Sequence, residues 1–310
     1  MSRIIAVCNQ KGGVGKTTTA LNLAAYLASF GKTTLLIDID PQGNSTSGIG
    51  VDKHAITNSI YNVLIDRKPI GDAIVQTAVQ NLWLAPSNVD LTGFEIEAIN
   101  NPAKEYMLKS AIEGIRDAYE FIIIDSPPSL GLLTINALTA IESVLIPIQC
   151  EYYALEGLSQ LLNVITLVRQ RLNNELRIEG VLLTMADYRT RLTTEVINEV
   201  KRYFDSDEGS LMVGGRNKVY RTVISRSVRL SEAPGFGKPI FIYDKNSIGA
   251  KQYFELAKEV LGEAAAGPAD ISNNNRIKDL QALAQQGVID TDIRIETETK
   301  KIEDENILPL

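Results

Sequence analysis

The chain has only two cysteines, Cys8 and Cys150, and one histidine, His54, in 310 residues. That scarcity excludes a disulfide framework and leaves no four-ligand zinc site that does not also draw on the histidine. Both thiols are expected reduced and buried, and the imidazole is expected on a surface loop. No run of 18 apolar residues is present to cross a bilayer. At the N-terminus the five apolar residues Ile4 to Cys8 run straight from Arg3 into Asn9-Gln10-Lys11, too short for a secretory h-region, so a cytoplasmic protein is expected. Aromatic residues make up only 6%, while 45% hydrophobic and 22% charged residues describe a soluble globular chain with enough length for a large core.

Positive charge is scarce overall but concentrated in one place. The net charge is −7, of which residues 263–310 contribute −5 through ten acidic and five basic side chains. Residues 189–229 reverse the sign, with Arg189, Arg191, Lys201, Arg202, Arg216, Lys218, Arg221, Arg226 and Arg229 set against five acids, a local +4. Clustered Arg and Lys neutralise phosphates without reading sequence, so this stretch is a candidate nucleic-acid surface.

Short apolar runs (Ile4 to Val7, Thr34 to Ile37, Phe121 to Ile124, Val144 to Ile148, Ile178 to Met185) alternate with amphipathic stretches (Thr17 to Phe30, Leu155 to Leu172, Leu192 to Phe204, Asn246 to Leu261). Runs such as Phe121-Ile-Ile-Ile124 lack the period of a half-exposed strand, which predicts a parallel sheet covered on both faces. The expected fold is therefore α/β, a doubly wound, mainly parallel sheet flanked by helices. Gly31 falls where a helix ending at Phe30 needs a left-handed residue. The pattern ends at residue 261, so residues 1–261 read as one domain and 262–310 as an acidic, flexible extension. A short helix over Arg276 to Gln286 is the one element expected inside that extension.

Strand, glycine loop and helix follow one another through Asn9-Gln-Lys-Gly-Gly-Val-Gly-Lys-Thr-Thr18, the order of a phosphate cradle. Glycines 12, 13 and 15 let consecutive backbone N–H groups turn toward a phosphate, and the helix start adds the positive end of its dipole. Lys11, Gly12, Gly13, Val14, Gly15, Lys16, Thr17 and Thr18 are thus the candidate ATP-binding residues, with Lys16 on the β and γ oxygens and the Thr17 hydroxyl on Mg²⁺. Two further strand ends carry acids. Asp38 and Asp40 close the second run; Asp40 is the candidate for orienting the attacking water, and Asp38 for holding the metal's water shell. Asp125 closes the run Phe121 to Ile124 as a second Mg²⁺ ligand.

One departure is informative: the general pattern Gly-x4-Gly-Lys-Ser/Thr wants glycine at position 10, where this chain has Gln10 followed by Lys11. Lys11 to Thr17 resembles the deviant Walker A loop of the ParA/MinD family of P-loop ATPases at every position, and Asp40-Pro-Gln-Gly-Asn44 and Asp125-Ser-Pro-Pro-Ser129 resemble that family's second and third signatures. The resemblance spans residues 1 to about 261 and is most specific toward Soj-type ParA proteins. It implies that Lys11 acts in catalysis with Lys16 and Asp40 by reaching the partner subunit's phosphates in an ATP-dependent homodimer. Tyr188-Arg189-Thr190 and Ser225 to Pro234 resemble regions whose arginines bind DNA, which points to Arg189 and Arg226. Relatives carry Pro-Arg-Asn where this chain has Ser225-Arg226-Ser227; those neighbours help hold adenine, so Ser225 and Ser227 are the candidate base-pocket residues. Nonspecific double-stranded DNA, a ParB/Spo0J-like centromere-binding protein and a nucleoid location follow as implied partners and place. Residues 205–216 read as an insertion near the basic stretch.

A MinD-like membrane-cycling ATPase shares the loop but needs a basic amphipathic terminal helix, whereas this chain ends in Glu303-Asp-Glu305 and Asn-Ile-Leu-Pro-Leu310. No membrane partner is expected. An iron–sulfur reductase on the same scaffold needs cysteines elsewhere than Cys8 in the strand before the loop.

Overall fold

The computed structural model describes residues 2–151, 154–205 and 219–262, without the side chains of 154–156 and 205. The apolar runs become strands β1 (Arg3–Val7), β2 (Thr34–Asp38), β3 (Val75–Gln76), β4 (Leu82–Ala85), β5 (Phe121–Asp125), β6 (Ser143–Gln149), β7 (Arg177–Ala186) and β8 (Val219–Ser225). They form one eight-stranded sheet in the order β3-β4-β2-β5-β1-β6-β7-β8. Every neighbouring pair is parallel except β3 and β4. The helices are α1 (Lys16–Ser29), α2 (Asn44–Gly48), α3 (Ile60–Leu64), α4 (Phe94–Glu97), α5 (Met107–Glu113), α6 (Leu132–Ala140), α7 (Ala154–Arg171), α8 (Arg191–Asp205), α9 (Val228–Glu232), α10 (Ile240–Tyr243) and α11 (Ile248–Leu261).

Strand alternation splits the core in two. Ile4, Ala6, Cys8, Ile122 and Ile124 belong to the layer beneath α6 and α7, while Ile5, Val7, Leu36 and Ile123 belong to the layer beneath α1 and α11. Both sets are fully buried, which is why these strands show no polar period. Asp38 and Asp125 share the parity of Leu36 and Ile123, so both acids face the α1 layer. The chain winds outward from β1 to β2 and β4, returns to β5, then crosses β1 to β6, β7 and β8. That reversal opens a crevice beyond the carboxyl ends of β5, β1 and β6.

The long elements fall within two residues of expectation. Helix α1 stops where Gly31 adopts φ +81°. Helix α11 is capped by Ser247, whose Oγ accepts from the Ala250 N–H at 3.2 Å, and stops at Gly262 with φ +85°. The structure adds what periodicity did not predict: the antiparallel β3–β4 edge, the edge strand β8 within the basic stretch, and the short helices between residues 44 and 119. The extension 262–310 with its expected helix, and the insertion beyond the end of α8, lie outside the described residues. Cys8 and Cys150 are buried and unpaired, as expected, with burial pushing their thiols up to about 12 and about 11; His54 is exposed on a loop. None of the helices among the described residues is long and apolar enough to cross a membrane.

The edge strand β8 is locked by an acid. Buried Glu259 of α11 accepts from the Arg221 N–H (3.0 Å), the Thr222 N–H (2.8 Å) and the Thr222 hydroxyl (2.6 Å). These charge-assisted bonds offset the cost of burying the carboxylate. Glu259→Ala strands the donors and is expected to cost about 2–3 kcal/mol, read as a lower denaturation midpoint, with Glu259→Gln recovering part of the loss.

Candidate functional site

The loop between β1 and α1 is fixed from three sides before any ligand arrives. Asn9 donates to the Pro147 carbonyl at 2.7 Å and accepts from the Lys11 N–H at 3.0 Å, tying the loop's first turn to β6. From β7, the Thr184 hydroxyl donates to the Val14 carbonyl at 2.9 Å. Gly13 and Gly15 take φ +75° and +87°, a region that side chains strain to enter. Gly15 heads α1 with no side-chain cap, so the helix's first N–H groups are left for an anion. Lys16 is 6% exposed, and its Nζ donates to the Lys11 carbonyl at 2.8 Å across the loop's concavity. Burial pulls the Lys16 ammonium below its ordinary pKa, against the opposing pull of Asp125, Cys8 and Asp40. A phosphate there restores the charge's partner.

Lys11 behaves differently. Its side chain is 42% exposed and forms an ion pair with Glu151, just beyond β6. Gln10, the departure from the general pattern, donates through Nε2 to the Gly157 carbonyl (3.3 Å) and Gln160 Oε1 (2.6 Å), docking the loop on α7. Neither contact was predicted from sequence: Glu151 and α7 reach the loop only through the β1–β6 pairing, and nothing local marks them.

The two acid stations meet because Asp38 and Asp125 are register partners across β2 and β5. Both are fully buried. Burial raises both carboxyls, to about 6 for Asp38 and about 8 for Asp125, each carboxylate also opposing its neighbour's charge. Asp38 is fully engaged with the protein: Oδ1 accepts from the Asp40 N–H at 3.1 Å, and Oδ2 from the Thr46 N–H and hydroxyl, both at 2.8 Å. It anchors the loop after β2. Asp125 Oδ2 accepts from Ser45 Oγ at 2.7 Å, whereas Oδ1 is buried without a hydrogen-bond partner. An orphaned carboxylate oxygen next to the Thr17 hydroxyl, which lowers the Asp125 pKa, is what a hard cation requires. The residues therefore fit Mg²⁺ held by Thr17 and Asp125 with phosphate and water. Among the described residues no cluster of three or more His, Cys, Asp or Glu could hold a metal by itself. Asp40, 5% exposed, sits one residue past the end of the Asp38–Ile39 step, with Oδ1 accepting from the Gln42 N–H at 2.9 Å. Strand β2 ends at Asp38, so this Asx turn and not strand alternation aims Asp40.

The predicted arginines come together at the carboxyl end of β7. Arg189 pairs with Asp187 through Nε (2.8 Å) and Nη2 (2.6 Å) and is 87% exposed. The Arg226 N–H donates to the Ala186 carbonyl at 3.1 Å, and its charge adds to that of Arg189 in holding the Asp187 carboxyl down to about 2, behind the Arg189 hydrogen bonds that dominate. Met185, between Thr184 and Ala186, takes the left-handed φ of +52°. A strained residue thus links the strand position that holds the phosphate loop to the one that carries the arginines. Arg229 is committed elsewhere, to Glu232 at 3.0 Å and Asp244 at 3.5 Å. Arg216 and Lys218 lie outside the described residues. Ser225 is clamped by Gln252, whose Oε1 accepts from the Ser225 N–H (2.9 Å) and whose Nε2 donates to its Oγ (2.8 Å), while Ser227 caps α9 in extended geometry. Gln252 had no sequence signal.

A family model described as an AAA domain matches residues 2–178. The chain is 57% identical over 260 residues to the sporulation initiation inhibitor protein Soj of Bacillus subtilis, an alignment covering 84% of this chain and 98% of that protein. It is 49% identical over 261 residues to the chromosome partitioning protein ParA of Myxococcus xanthus, covering 84% and 88%. Among solved structures, a cobyrinic acid a,c-diamide synthase from Mycobacterium smegmatis with bound ATP analog and magnesium is similar with a TM-score of 0.70 and 34% identity, covering 84% of this chain and 95% of that one.

Proposed function

Because the chain belongs to the Soj/ParA family of partition ATPases, we propose that ATP joins two copies into a sandwich dimer that binds double-stranded DNA nonspecifically, and that a ParB-type partner stimulates hydrolysis to release it. The chain is a Mg²⁺-dependent ATP hydrolase. Gly12 to Thr18 bind the phosphates, Lys16 neutralises the β and γ oxygens, and Asp40 orients the attacking water. Thr17 and Asp125 hold the metal, which when bound neutralises charge on the phosphates; Asp38 acts one step away, by fixing the loop that carries Asp40 and Ser45. Ser225 and Ser227 flank the base pocket.

The division of labour between two lysines carries this reading. Lys16 is buried in the loop's own concavity, so Lys11, solvent-accessible at the rim and paired only with Glu151, is left to serve a different phosphate chain. The second copy's ATP supplies it. Hydrolysis removes the γ-phosphate and the differential affinity that favours the dimer. The DNA surface is the β7 end, where Arg189 follows the strand that grips the loop and the Arg226 N–H bonds its last residue, Ala186.

The test is DNA binding by the full chain with ATP, with ADP and without nucleotide, at two salt concentrations. Binding is expected with ATP alone and to weaken steeply with salt, as phosphate contacts do; equal binding in all three states contradicts the switch. Arg189→Glu and Arg226→Glu each replace a phosphate contact with a repulsion and are expected to weaken DNA binding at least roughly tenfold while ATP-dependent dimers persist. Loss of dimers together with DNA binding contradicts the assignment.

A further inference from the structure

Of the three non-glycine residues with positive φ among the described residues, Arg67 and Asn81 lie outside the strands, whereas Met185, at φ +52°, lies inside β7. A side chain is strained in that region and stays there only where the surroundings hold it. Met185 also inverts the strand. Val181 and Leu183 belong to the layer beneath α6 and α7, and Leu182 to the layer beneath α1 and α11. A regular strand would put Ala186, four residues beyond Leu182, on the face of Leu182. Ala186 belongs instead to the α6 and α7 layer, and the pairing of β7 with β8 shifts register between Leu183 and Ala186. Met185 is therefore the centre of a bulge, which re-aims whatever follows it.

The contacts on its two sides serve different sites. Before it, the Thr184 side chain, 2% exposed, donates to the Val14 carbonyl at 2.9 Å, and the Thr184 carbonyl accepts at 3.1 Å from the N–H of Cys150, the neighbour of the Glu151 that pairs with Lys11. After it, the Ala186 carbonyl holds the Arg226 N–H, the Asp187 N–H donates to Thr193 Oγ1 on α8 at 3.2 Å, and the Asp187 carboxylate holds Arg189. One peptide plane carries both the Val14 carbonyl and the Gly15 N–H. A phosphate that draws on that N–H therefore moves the carbonyl that Thr184 holds. An extended Met185 would return Ala186 to the face of Leu182 and turn its carbonyl away from Arg226.

We propose that Thr184 and Met185 are the positioning residues that tie the arginine end of β7 to the phosphate loop. Thr184 follows the Val14–Gly15 peptide, and the left-handed Met185 carries that position across the bulge to Ala186, Arg226 and Arg189. This rests on the DNA-binding reading above and names the segment that transmits the nucleotide state.

The test measures DNA binding by the full chain with Mg²⁺ and a saturating non-hydrolysable ATP analogue, at fixed salt, in samples whose solution mass is that of the dimer. Thr184→Val keeps the shape and loses the hydroxyl. Its dimers are expected to bind a random-sequence duplex about tenfold more weakly than wild type, and Thr184→Ser, which restores the donor, to recover most of the loss. Two Met185 variants separate backbone from side chain, because glycine enters the left-handed region freely and a β-branched residue does not. Met185→Gly dimers are expected to bind DNA as wild type does, and Met185→Val dimers about tenfold more weakly. A side chain that merely fills space gives the reverse order, with glycine the worse, and that result overturns the role of Met185. Wild-type DNA affinity in both valine variants overturns the proposal and leaves the DNA-binding reading intact. Loss of analogue-driven dimers in both makes Thr184 and Met185 supports of the nucleotide pocket alone and also overturns it. Wild-type dimers that do not bind DNA refute the DNA-binding reading and the positioning role together.

Discussion

Asp40→Ala is expected to lower ATP turnover by roughly 10²–10⁴-fold while leaving ATP-driven dimers in place. Phosphoryl transfer asks little covalent chemistry of the protein, so the water-positioning group has a large share of the rate. The Asx turn to Gln42 fixes the Asp40 carboxylate, and its charge is felt at Lys16, Asp38 and Asp125. In the proposed site nucleotide binding draws on Gly12 to Thr18 and does not require it. The variant should therefore accumulate as an ATP-loaded, DNA-bound dimer. Phosphate release and solution mass measured on one sample check both halves; unaltered hydrolysis removes Asp40 from its role. Asp40→Asn keeps an acceptor for the Gln42 N–H and loses the charge, so a rate as low as that of the alanine variant assigns the effect to the carboxylate and not to a collapsed turn.

Lys11→Ala is expected to abolish dimers at working protein concentrations while each subunit still binds ATP. The proposed dimer carries two such lysines. A hydrogen bond to a charged group is worth about 1.5–3 kcal/mol, so losing both weakens association by roughly 10²–10⁴-fold. The competing contact is small: a solvent-accessible ion pair such as Lys11 with Glu151 contributes about 0–1 kcal/mol. Turning Lys11 from Glu151 to a neighbouring triphosphate is therefore downhill. Glu151→Gln should accordingly form dimers at least as readily as the wild type, whereas Lys16→Ala should lose ATP binding itself. Sedimentation with ATP, beside a nucleotide-binding titration, separates the three variants.

What the sequence could reveal follows a physical divide. Strands β1, β2, β5 and β6 were legible because burial on both faces forces continuous apolar runs, and the loop from Lys11 to Thr17 because backbone curvature around a phosphate demands glycine at fixed steps. The stretch from residue 44 to 119 was not, because its helices are four to seven residues long and too short to display a helical period. Strand β8 was hidden by its alternation of buried and exposed residues inside a stretch that drew notice for its charge. Within the site, the residue types were legible and their partners were not. Glu151 on Lys11, Gln252 on Ser225 and Thr46 on Asp38 are set by which strands lie side by side. The orphaned Asp125 Oδ1 could be seen only once its neighbours were in place.

The most direct measurement is the solution mass of the purified chain with Mg²⁺ and a non-hydrolysable ATP analogue, beside samples with ADP and without nucleotide. Two subunits with the analogue and one in the other samples is the expected result. A mass that stays at one subunit in all three would contradict the sandwich dimer, and with it the role given to Lys11.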